Sequence, residues 1–291
     1  MKNSVRALGA MLIALSLPAV ADVDPAPVLR AEYAFAAAAS ARGVRDAFLE
    51  YAASDAVLFR PRAVNAHEHL EAAPPIQSRL EWYPSFAVLA TSRDLGFTTG
   101  PWLARPAVDA PAVAHGSYVT VWKRLDGGAW RFVIDHGISH EPAAEPPTAL
   151  SAGTESSGDV EPVVFSERGP ALDALAGVND ELDAALSQAE AAAGRSELYS
   201  DDVRVYREGV IPAIGLTQAR ALLESSVARG PARRRGIDVA HSGDFGYTWG
   251  YLSPAAPSPR TEHVYVRLWQ RVSGEWRLLL DLETPLPPAG E

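Results

Sequence analysis

The sequence predicts an α+β fold made of two tandem domains, each with helices at its start followed by an antiparallel sheet. The first observation is a repeat: DLGFTTGPW at 94–102 returns as DFGYTWGYL at 244–252. The second is that the closing segment YVTVWKRLDGGAW at 118–130 returns as YVRLWQRVSGEW at 265–276. The elements follow in the same order in both halves, which is typical of a duplicated domain.

The first copy begins with helices. Val44, Ala47, Phe48 and Tyr51 are spaced as one face of a helix, and an alanine-rich helix precedes them at 32–40. Strand-like and turn-like patterns follow. They predict a short strand at 57–60, a brief helix at 66–72, four strands near 80–91, 95–104, 117–124 and 130–138, and a hairpin turn at 126–128.

The second copy shows the same order. Leucines at 172, 175, 182 and 186 predict a helix that ends near Gly194. A strand at 203–207 and a helix at 216–228 follow, and Ser273-Gly274 predicts the last hairpin turn. In both copies Gly96, Gly100 and their counterparts are expected in a bending strand, where a missing side chain permits close backbone approach.

Proline, alanine, serine and glycine dominate the segment between the copies, and it contains few large apolar side chains. This composition predicts a flexible linker at 143–164. The first domain is then expected at 24–142 and the second at 165–288.

The first 21 residues have the pattern of a cleaved export signal. Lys2 and Arg6 precede an apolar run at 7–17, and Ala19-Val20-Ala21 forms a small-residue cleavage site. The run is well short of the roughly 20 residues that span a bilayer. We therefore expect a periplasmic or secreted protein without stable membrane insertion, with an uncleaved anchor as the alternative.

Composition excludes several function classes. The chain has no cysteine, which excludes disulfides, thiolate nucleophiles, cysteine metal sites and a lipoprotein anchor. Its formal charge of −10 argues against nucleic acid as a partner. Phosphate-loop, dinucleotide and G-x-S-x-G patterns do not occur, and we expect no cofactor.

The helix-turn-strand FLEYAASDAVLFRP at 48–61, the strand at 94–102 and the closing hairpin at 118–139 resemble the nuclear transport factor 2-like superfamily, in its SnoaL-like and ketosteroid-isomerase-like branch. The resemblance covers nearly all of both copies. It implies cone-shaped domains, in which helices lean on a strongly curved sheet and leave an apolar pocket. The superfamily holds isomerases, cyclases, dehydratases, ligand carriers and structural adaptors, so the fold does not determine the function.

The stretch HEHLE at 67–71 does not fit a zinc motif. Such a motif needs histidines four residues apart on one helical face, and position 71 is Glu71. His67 and His69 point in different directions on a helix. We expect a solvated helix surface and no metal site.

Asp135 and His136 close the last strand of the first copy, where neighbouring side chains point to opposite faces. His136 alternates with Phe132 on the apolar face, which makes it the candidate polar group of the pocket, with a satisfied core histidine as the alternative. Asp135 is repeated as Asp281 and is expected to pair with a neighbouring strand or with arginine.

Tryptophan placement differs between the copies. Trp82 and Trp102 are matched by Ala232 and Leu252, so both are candidates to line a pocket in the first copy. Tryptophans that only pack the cone are the alternative. Tyr33 is a further candidate ligand-binding residue, with ordinary packing as its alternative.

Three functions stay open at this point. The first is binding of a small apolar or aromatic molecule in the first cone. The second is an acid–base enzyme of the isomerase, dehydratase or cyclase type, acting on a steroid-like or polyketide-like carbonyl compound. The third is a non-catalytic interaction scaffold. In each case we expect a monomer in which the two domains pair through the strands at 117–124 and 264–271 as an intramolecular pseudo-dimer.

Overall fold

The structure, a computed structural model, describes residues 23–74, 78–151, 168–187, 196–224, 229–254 and 261–287. The predicted export signal at 1–21 lies outside these residues, as does the predicted linker from residue 152 onward. In the part that is described, no helix has the length and hydropathy needed to cross a membrane.

Three helices open the first domain: Ala26–Arg42 (α1), Val44–Tyr51 (α2) and, after an intervening hairpin, Ala66–Ala72 (α3). Gly43 separates α1 from α2. It adopts a φ of 95°, and its N–H bonds back to the Ala39 carbonyl, which ends the first helix. The predicted short helix at 66–72 is confirmed.

The first sheet has seven strands: Ala52–Phe59 (β1), Ala63–Asn65 (β2), Arg79–Trp82 (β3), Phe86–Leu89 (β4), Leu95–Arg105 (β5), Ala114–Arg124 (β6) and Trp130–Ser139 (β7). Their order in the sheet is β2-β1-β7-β6-β5-β3, and β4 also pairs with β5. The sheet differs from the predicted antiparallel sheet in one pair, because β1 and β7 run parallel. These two strands lie at opposite ends of the domain sequence, so the intervening chain is long enough for a parallel crossover.

The second domain repeats this plan. Its elements are Arg168–Leu186 (α4), a short 3-10 helix at Ser196–Leu198, Leu216–Glu224 (α5), and the strands Tyr199–Arg207 (β8), Val210–Ile214 (β9), Arg229–Val239 (β10), Phe245–Pro254 (β11), His263–Val272 (β12) and Glu275–Pro285 (β13). The strand order is β10-β11-β12-β13-β8-β9, in which β8 and β13 are parallel. The chain therefore has the predicted α+β fold of two tandem cone-shaped domains.

The repeated glycines permit close contact between neighbouring segments. A Cβ on Gly100 would lie 2.0 Å from the Tyr83 carbonyl oxygen, and one on Gly250 would lie 2.3 Å from that of Arg233. A side chain at either position would collide with that carbonyl oxygen. The predicted close backbone approach is confirmed in both copies.

The repeated aspartates connect the two domains. Asp244 Oδ2 accepts a hydrogen bond from the backbone N–H of Thr91 at 3.0 Å. Asp94 Oδ2 accepts one from the backbone N–H of His241 at 3.1 Å. Each domain thus offers the same carboxylate to the same turn of the other, as in a two-fold interface.

Serines and phenylalanines extend this reciprocal contact. The hydroxyl oxygens of Ser92 and Ser242 lie 2.9 Å apart, and each accepts a bond from the other's backbone N–H at 3.1 Å. Phe97 stacks on Phe245 with ring centroids 5.8 Å apart. Both phenylalanines belong to one apolar core that includes residues of the two sheets.

Strands β6 and β12, the predicted pairing strands, add Val121 and Val266 to this shared core, whereas their tryptophans turn inward. The Trp122 indole donates to Glu32 of its own domain, and the Trp269 indole donates to Thr248 of its own domain. These rings therefore face the interiors of their own cones.

Candidate functional site

Helix α1 places a carboxyl group inside the first cone. Val28, Phe35 and Ala39 form its buried face, and Glu32 lies on the same face with no exposed surface. Glu32 accepts hydrogen bonds from the indole N–H of Trp82 at 2.5 Å and of Trp122 at 3.1 Å, and from the Thr98 hydroxyl. Every oxygen of this buried carboxyl therefore has a partner.

Burial raises the pKa of Glu32 to about 7. The donors Thr98, Trp82 and Trp122 oppose this rise, and the negative charge of Asp135 adds to it. Desolvation is the largest effect because a charged carboxylate without a cation partner is disfavoured away from water. Glu32 consequently exchanges a proton near neutral pH.

A β-bulge in β7 turns a second carboxyl group into the cone. Trp122 on β6 pairs with Phe132, whereas Val121 pairs with Ile134, so Val133 is an extra residue. Phe132 and Asp135 then share the inner face, although they are three positions apart. Phe132 packs on Phe35 of α1, with ring centroids 5.7 Å apart, so this face of β7 points toward the helix and into the cone.

The bulge brings Asp135 to the cavity beside His136, which the sequence chose instead of it. That choice rested on regular alternation, which placed His136 in the pocket. In the structure His136 also borders the cavity, but its Nε2 is 3.0 Å from the Thr284 hydroxyl of the second domain and its ring packs on Phe59. Burial lowers the pKa of His136 to about 3, so the ring is neutral.

The Asp135 carboxyl group borders a cavity in the first cone. Its Oδ2 accepts a hydrogen bond from the Thr120 hydroxyl at 2.9 Å. Burial raises its pKa to about 6, and the charge of Arg60 and the Thr120 bond limit the rise. This bond to β6 confirms the prediction that Asp135 pairs with a neighbouring strand, and the alternative, a salt bridge with arginine, does not form among the described residues.

A tyrosine hydroxyl completes the polar part of the site. Tyr118 is only 6% exposed, and its hydroxyl has no hydrogen-bond partner in the described part of the chain. Burial, with the nearby charges of Glu32 and Asp135, raises the pKa of Tyr118 well above its usual value. The phenol therefore keeps its proton and is free to donate it in a hydrogen bond to a ligand.

Asp135 and Tyr118 border a cavity of about 200 Å³ in the first cone. Trp82 and Trp102 form aromatic walls, and the Trp102 indole donates to the Ile138 carbonyl at 3.2 Å. Gly116 makes room for that ring, since a Cβ there would lie 2.5 Å from the indole nitrogen. The lining residues are Phe35, Phe48, Arg60, Leu80, Trp82, Trp102, Tyr118, Asp135, His136, Gly137, Ile138 and Ser139.

Tyr33, the remaining candidate from the sequence, lies away from this cavity. Its hydroxyl donates to the Leu150 carbonyl at 2.5 Å. The Tyr83 hydroxyl donates in the same way to the Pro147 carbonyl at 3.0 Å. Tyr33 thus holds the segment 143–151 against the first domain.

Helix α3 holds His67 and His69 of the HEHLE stretch. The Asn65 side chain caps this helix by accepting a hydrogen bond from the Glu68 N–H at 3.1 Å. Among the described residues, no three metal-binding side chains converge on one point.

The second cone has a different interior. Arg267 occupies the position of Thr120 in the repeat and is fully buried. It bonds to Asp183 at 2.6 Å, to Asp281 at 3.1 Å and to the Asn179 side-chain oxygen at 3.2 Å. Asp281 also pairs with Arg207, so the prediction that it pairs with arginine is confirmed. A network of paired charges therefore occupies the positions that Thr120 and Asp135 hold in the first cone.

Comparison with known proteins gives a structural likeness only. No family model matches the sequence, and no curated protein is significantly similar to it. One domain's length of the chain is similar to solved nuclear transport factor 2-like structures. A protein of this type and of unknown function from Pseudomonas putida aligns over 43% of this chain and 93% of its own, with 14% identity and a TM-score of 0.35.

Two further solved structures show a similar likeness. A ketosteroid isomerase-like protein from Erwinia carotovora atroseptica aligns over 40% of this chain and 97% of its own, with 15% identity and a TM-score of 0.33. A nuclear transport factor 2-like protein with a cystatin-like fold, from Novosphingobium aromaticivorans, aligns over 40% of this chain and 83% of its own, with 15% identity and a TM-score of 0.32.

Sequence reasoning missed Glu32, Asp135 and Tyr118 as site residues. Two signals were available. Glu32 is the one acidic residue on an otherwise apolar helix face, four residues after Val28 and three before Phe35. Comparison of the repeats also shows small Thr120 where the second copy has Arg267.

Proposed function

We propose that the first domain binds a compact apolar or aromatic molecule that carries one hydrogen-bonding oxygen. The observation that carries this proposal is the cavity beside the unpartnered Tyr118 hydroxyl, at the place where Arg267 fills the second cone. A buried donor without a partner costs about 1–3 kcal/mol, which a ligand oxygen recovers when it accepts the bond. Trp82 and Trp102 supply the apolar walls.

The size of the cavity limits the ligand. Its volume of about 200 Å³ lies below the range of roughly 300–1,000 Å³ typical of pockets for drug-sized molecules. A molecule of one or two rings suits this space better than a four-ring steroid. We therefore infer a smaller ligand than the steroid-like class suggested by the sequence.

A second candidate function is acid–base catalysis on a small carbonyl compound. It is favoured by Asp135, whose pKa of about 6 suits proton transfer near neutral pH. In this reaction the Asp135 carboxylate takes a proton from the carbon next to the carbonyl. The Tyr118 hydroxyl donates a hydrogen bond to the carbonyl oxygen and stabilises the enolate. When the compound carries a β,γ double bond, Asp135 returns the proton to the γ-carbon, the double bond moves into conjugation with the carbonyl, and the carboxylate is regenerated.

Binding is tested by calorimetric titration with 2-naphthol, together with mass spectrometry of small molecules that co-purify with the protein. Trp82→Ala should weaken binding by about 1–3 kcal/mol through loss of an aromatic wall. Leu252→Ala in the second domain removes a buried side chain and should lower stability by about 2–5 kcal/mol without changing affinity. Equal losses of affinity in both variants would contradict the proposal.

Catalysis is tested by deuterium exchange at the α-carbons of 2-tetralone, followed by NMR in D₂O. The wild-type protein should accelerate exchange, with a rate that rises as pH passes through the Asp135 pKa of about 6. Asp135→Asn should abolish the acceleration while retaining 2-naphthol binding. If the exchange rate stays unchanged in this variant, Asp135 is not the catalytic base and binding remains as the function of the cavity. If 2-naphthol also failed to bind, the interaction scaffold would be the remaining class.

We also propose that the chain is exported and works as a monomer whose two domains pair within one chain. Export is supported by the basic, apolar and small-residue pattern of residues 1–21. Pairing is supported by the reciprocal bonds of Asp94 and Asp244 and by the stacking of Phe97 on Phe245. Amino-terminal sequencing should find Asp22 first, and sedimentation should give one chain per particle. Finding an intact Met1 in the cytoplasm or a stable dimer would contradict these points.

A further inference from the structure

A second and larger cavity lies between the two domains. Its volume is about 670 Å³, and it is separate from the first cone, although Trp82 and Trp102 contribute to both. We call it the interdomain cavity. The first domain provides one wall from β3, β5 and β6, the second provides another from β8 and β9, and residues 142–147 provide a third.

The walls of the interdomain cavity are mainly apolar. Besides the two tryptophans, they include several prolines and the isoleucines of β9. Ile211 is 50% exposed and Ile214 is 46% exposed. Isoleucines with this exposure on the wall of a large concave space are typical of a binding site for an apolar molecule.

Arg204 is the cation of this cavity. Its guanidinium stacks on the Phe86 ring, 3.4 Å from the centroid, and Nη1 donates to the Asp202 carbonyl at 2.8 Å. No carboxylate of the described residues forms a salt bridge with it, and Asp202 acts on it only through its charge at longer range. Arg207 and Arg267 of the same domain, in contrast, are each paired with aspartate.

The other charged groups of the cavity leave Arg204 as the available anchor. Glu81 already pairs with Arg105 at 3.3 Å. Glu145 lies exposed on the segment that forms the third wall, where water screens its charge. His140 bonds through Nε2 to the Ser117 hydroxyl at 3.0 Å and through Nδ1 to a backbone carbonyl at 2.7 Å.

We propose that the interdomain cavity binds an apolar or aromatic carboxylic acid, whose carboxylate pairs with Arg204 while its rings lie against the tryptophan and isoleucine walls. Arginine suits this role because its planar guanidinium offers two parallel N–H donors to a carboxylate. This site shares its two tryptophans with the cone cavity but differs in its polar anchor, since the ligand proposed for the cone carries a neutral oxygen.

The test uses 1-naphthaleneacetic acid and its amide, 1-naphthaleneacetamide, which share their rings and differ in charge. The wild-type protein should bind the acid about tenfold or more tightly than the amide in calorimetric titration, the effect expected of a hydrogen-bonded charge. Arg204→Gln should remove the preference, and Arg204→Lys should retain part of it. Glu145→Gln should tighten acid binding by up to about twofold, because it removes a weak repulsion.

Controls separate this site from the cone. Arg124→Gln changes an exposed arginine outside the cavity and should leave the preference intact. Tyr118→Phe should leave binding of the acid unchanged while it weakens 2-naphthol binding. The proposal is overturned if the wild type binds neither compound, if it binds both equally, or if Arg204→Gln keeps the preference.

Discussion

Glutamine in place of Glu32 should make the protein more stable in alkaline solution. Glu32 is fully buried, and its pKa rises from 4.5 to about 7 on folding. Below pH 4.5 the group is protonated in both the folded and the unfolded chain, so the free energy of unfolding has its full value. As pH rises from 4.5 to 7, the unfolded chain loses this proton while the folded chain still holds it, and stability falls. Above pH 7 the accumulated loss is about 3 kcal/mol.

The amide has no such titration, and the matching position of the second copy already carries Asn179, which is also buried. Glu32→Gln should therefore raise the free energy of unfolding at pH 8.5 by up to about 3 kcal/mol and change it by less than about 1 kcal/mol at pH 5. Urea denaturation followed by tryptophan fluorescence measures both values. The exposed control Glu71→Gln should shift stability by about 0.5 kcal/mol or less at either pH. The reasoning is refuted if wild type and Glu32→Gln show the same pH dependence.

Two further predictions concern the second cone and the repeated glycines. Arg267→Thr leaves Asp183 without its buried partner and should lower the free energy of unfolding by about 3–5 kcal/mol. Thr120→Val should lower it by about 1 kcal/mol. If urea denaturation showed equal losses in the two variants, the proposed difference between the cones would be contradicted. Gly100→Ala should lower the melting temperature because the new Cβ collides with a carbonyl oxygen. Gly177→Ala lies in open space on α4 and should raise the free energy of unfolding by about 1 kcal/mol. Calorimetric scans in which Gly100→Ala melted at or above the wild-type temperature would contradict this.

Repetition in the sequence predicted the two domains and most of their elements, because matched strands and turns show in the residues themselves. The orientation of Asp135 was not predictable in this way. Strict alternation assigns it to the outer face, and only the extra residue Val133 reverses that assignment. A bulge depends on pairing with β6, which a single strand's sequence does not reveal.

The cavity also depends on tertiary contacts. Glu32 looked like one polar residue in an alanine-rich helix, and its role appears only when Trp82 and Trp122 converge on it from two different strands. The same holds for Asp94, which the sequence shows only as the first residue of a repeated stretch. Its bond to the His241 N–H belongs to the contact between domains.

The central claim is that the first cone holds a ligand and that the second does not. The protein's seven tryptophans allow a direct measurement, because each indole N–H gives one signal in a ¹H–¹⁵N correlation spectrum. On titration with 2-naphthol, the signals of Trp82 and Trp122, whose indoles bond to Glu32, should shift. Those of Trp269 and Trp276 in the second cone should stay in place. Equal shifts in both pairs, or a shift confined to the second pair, would contradict the account.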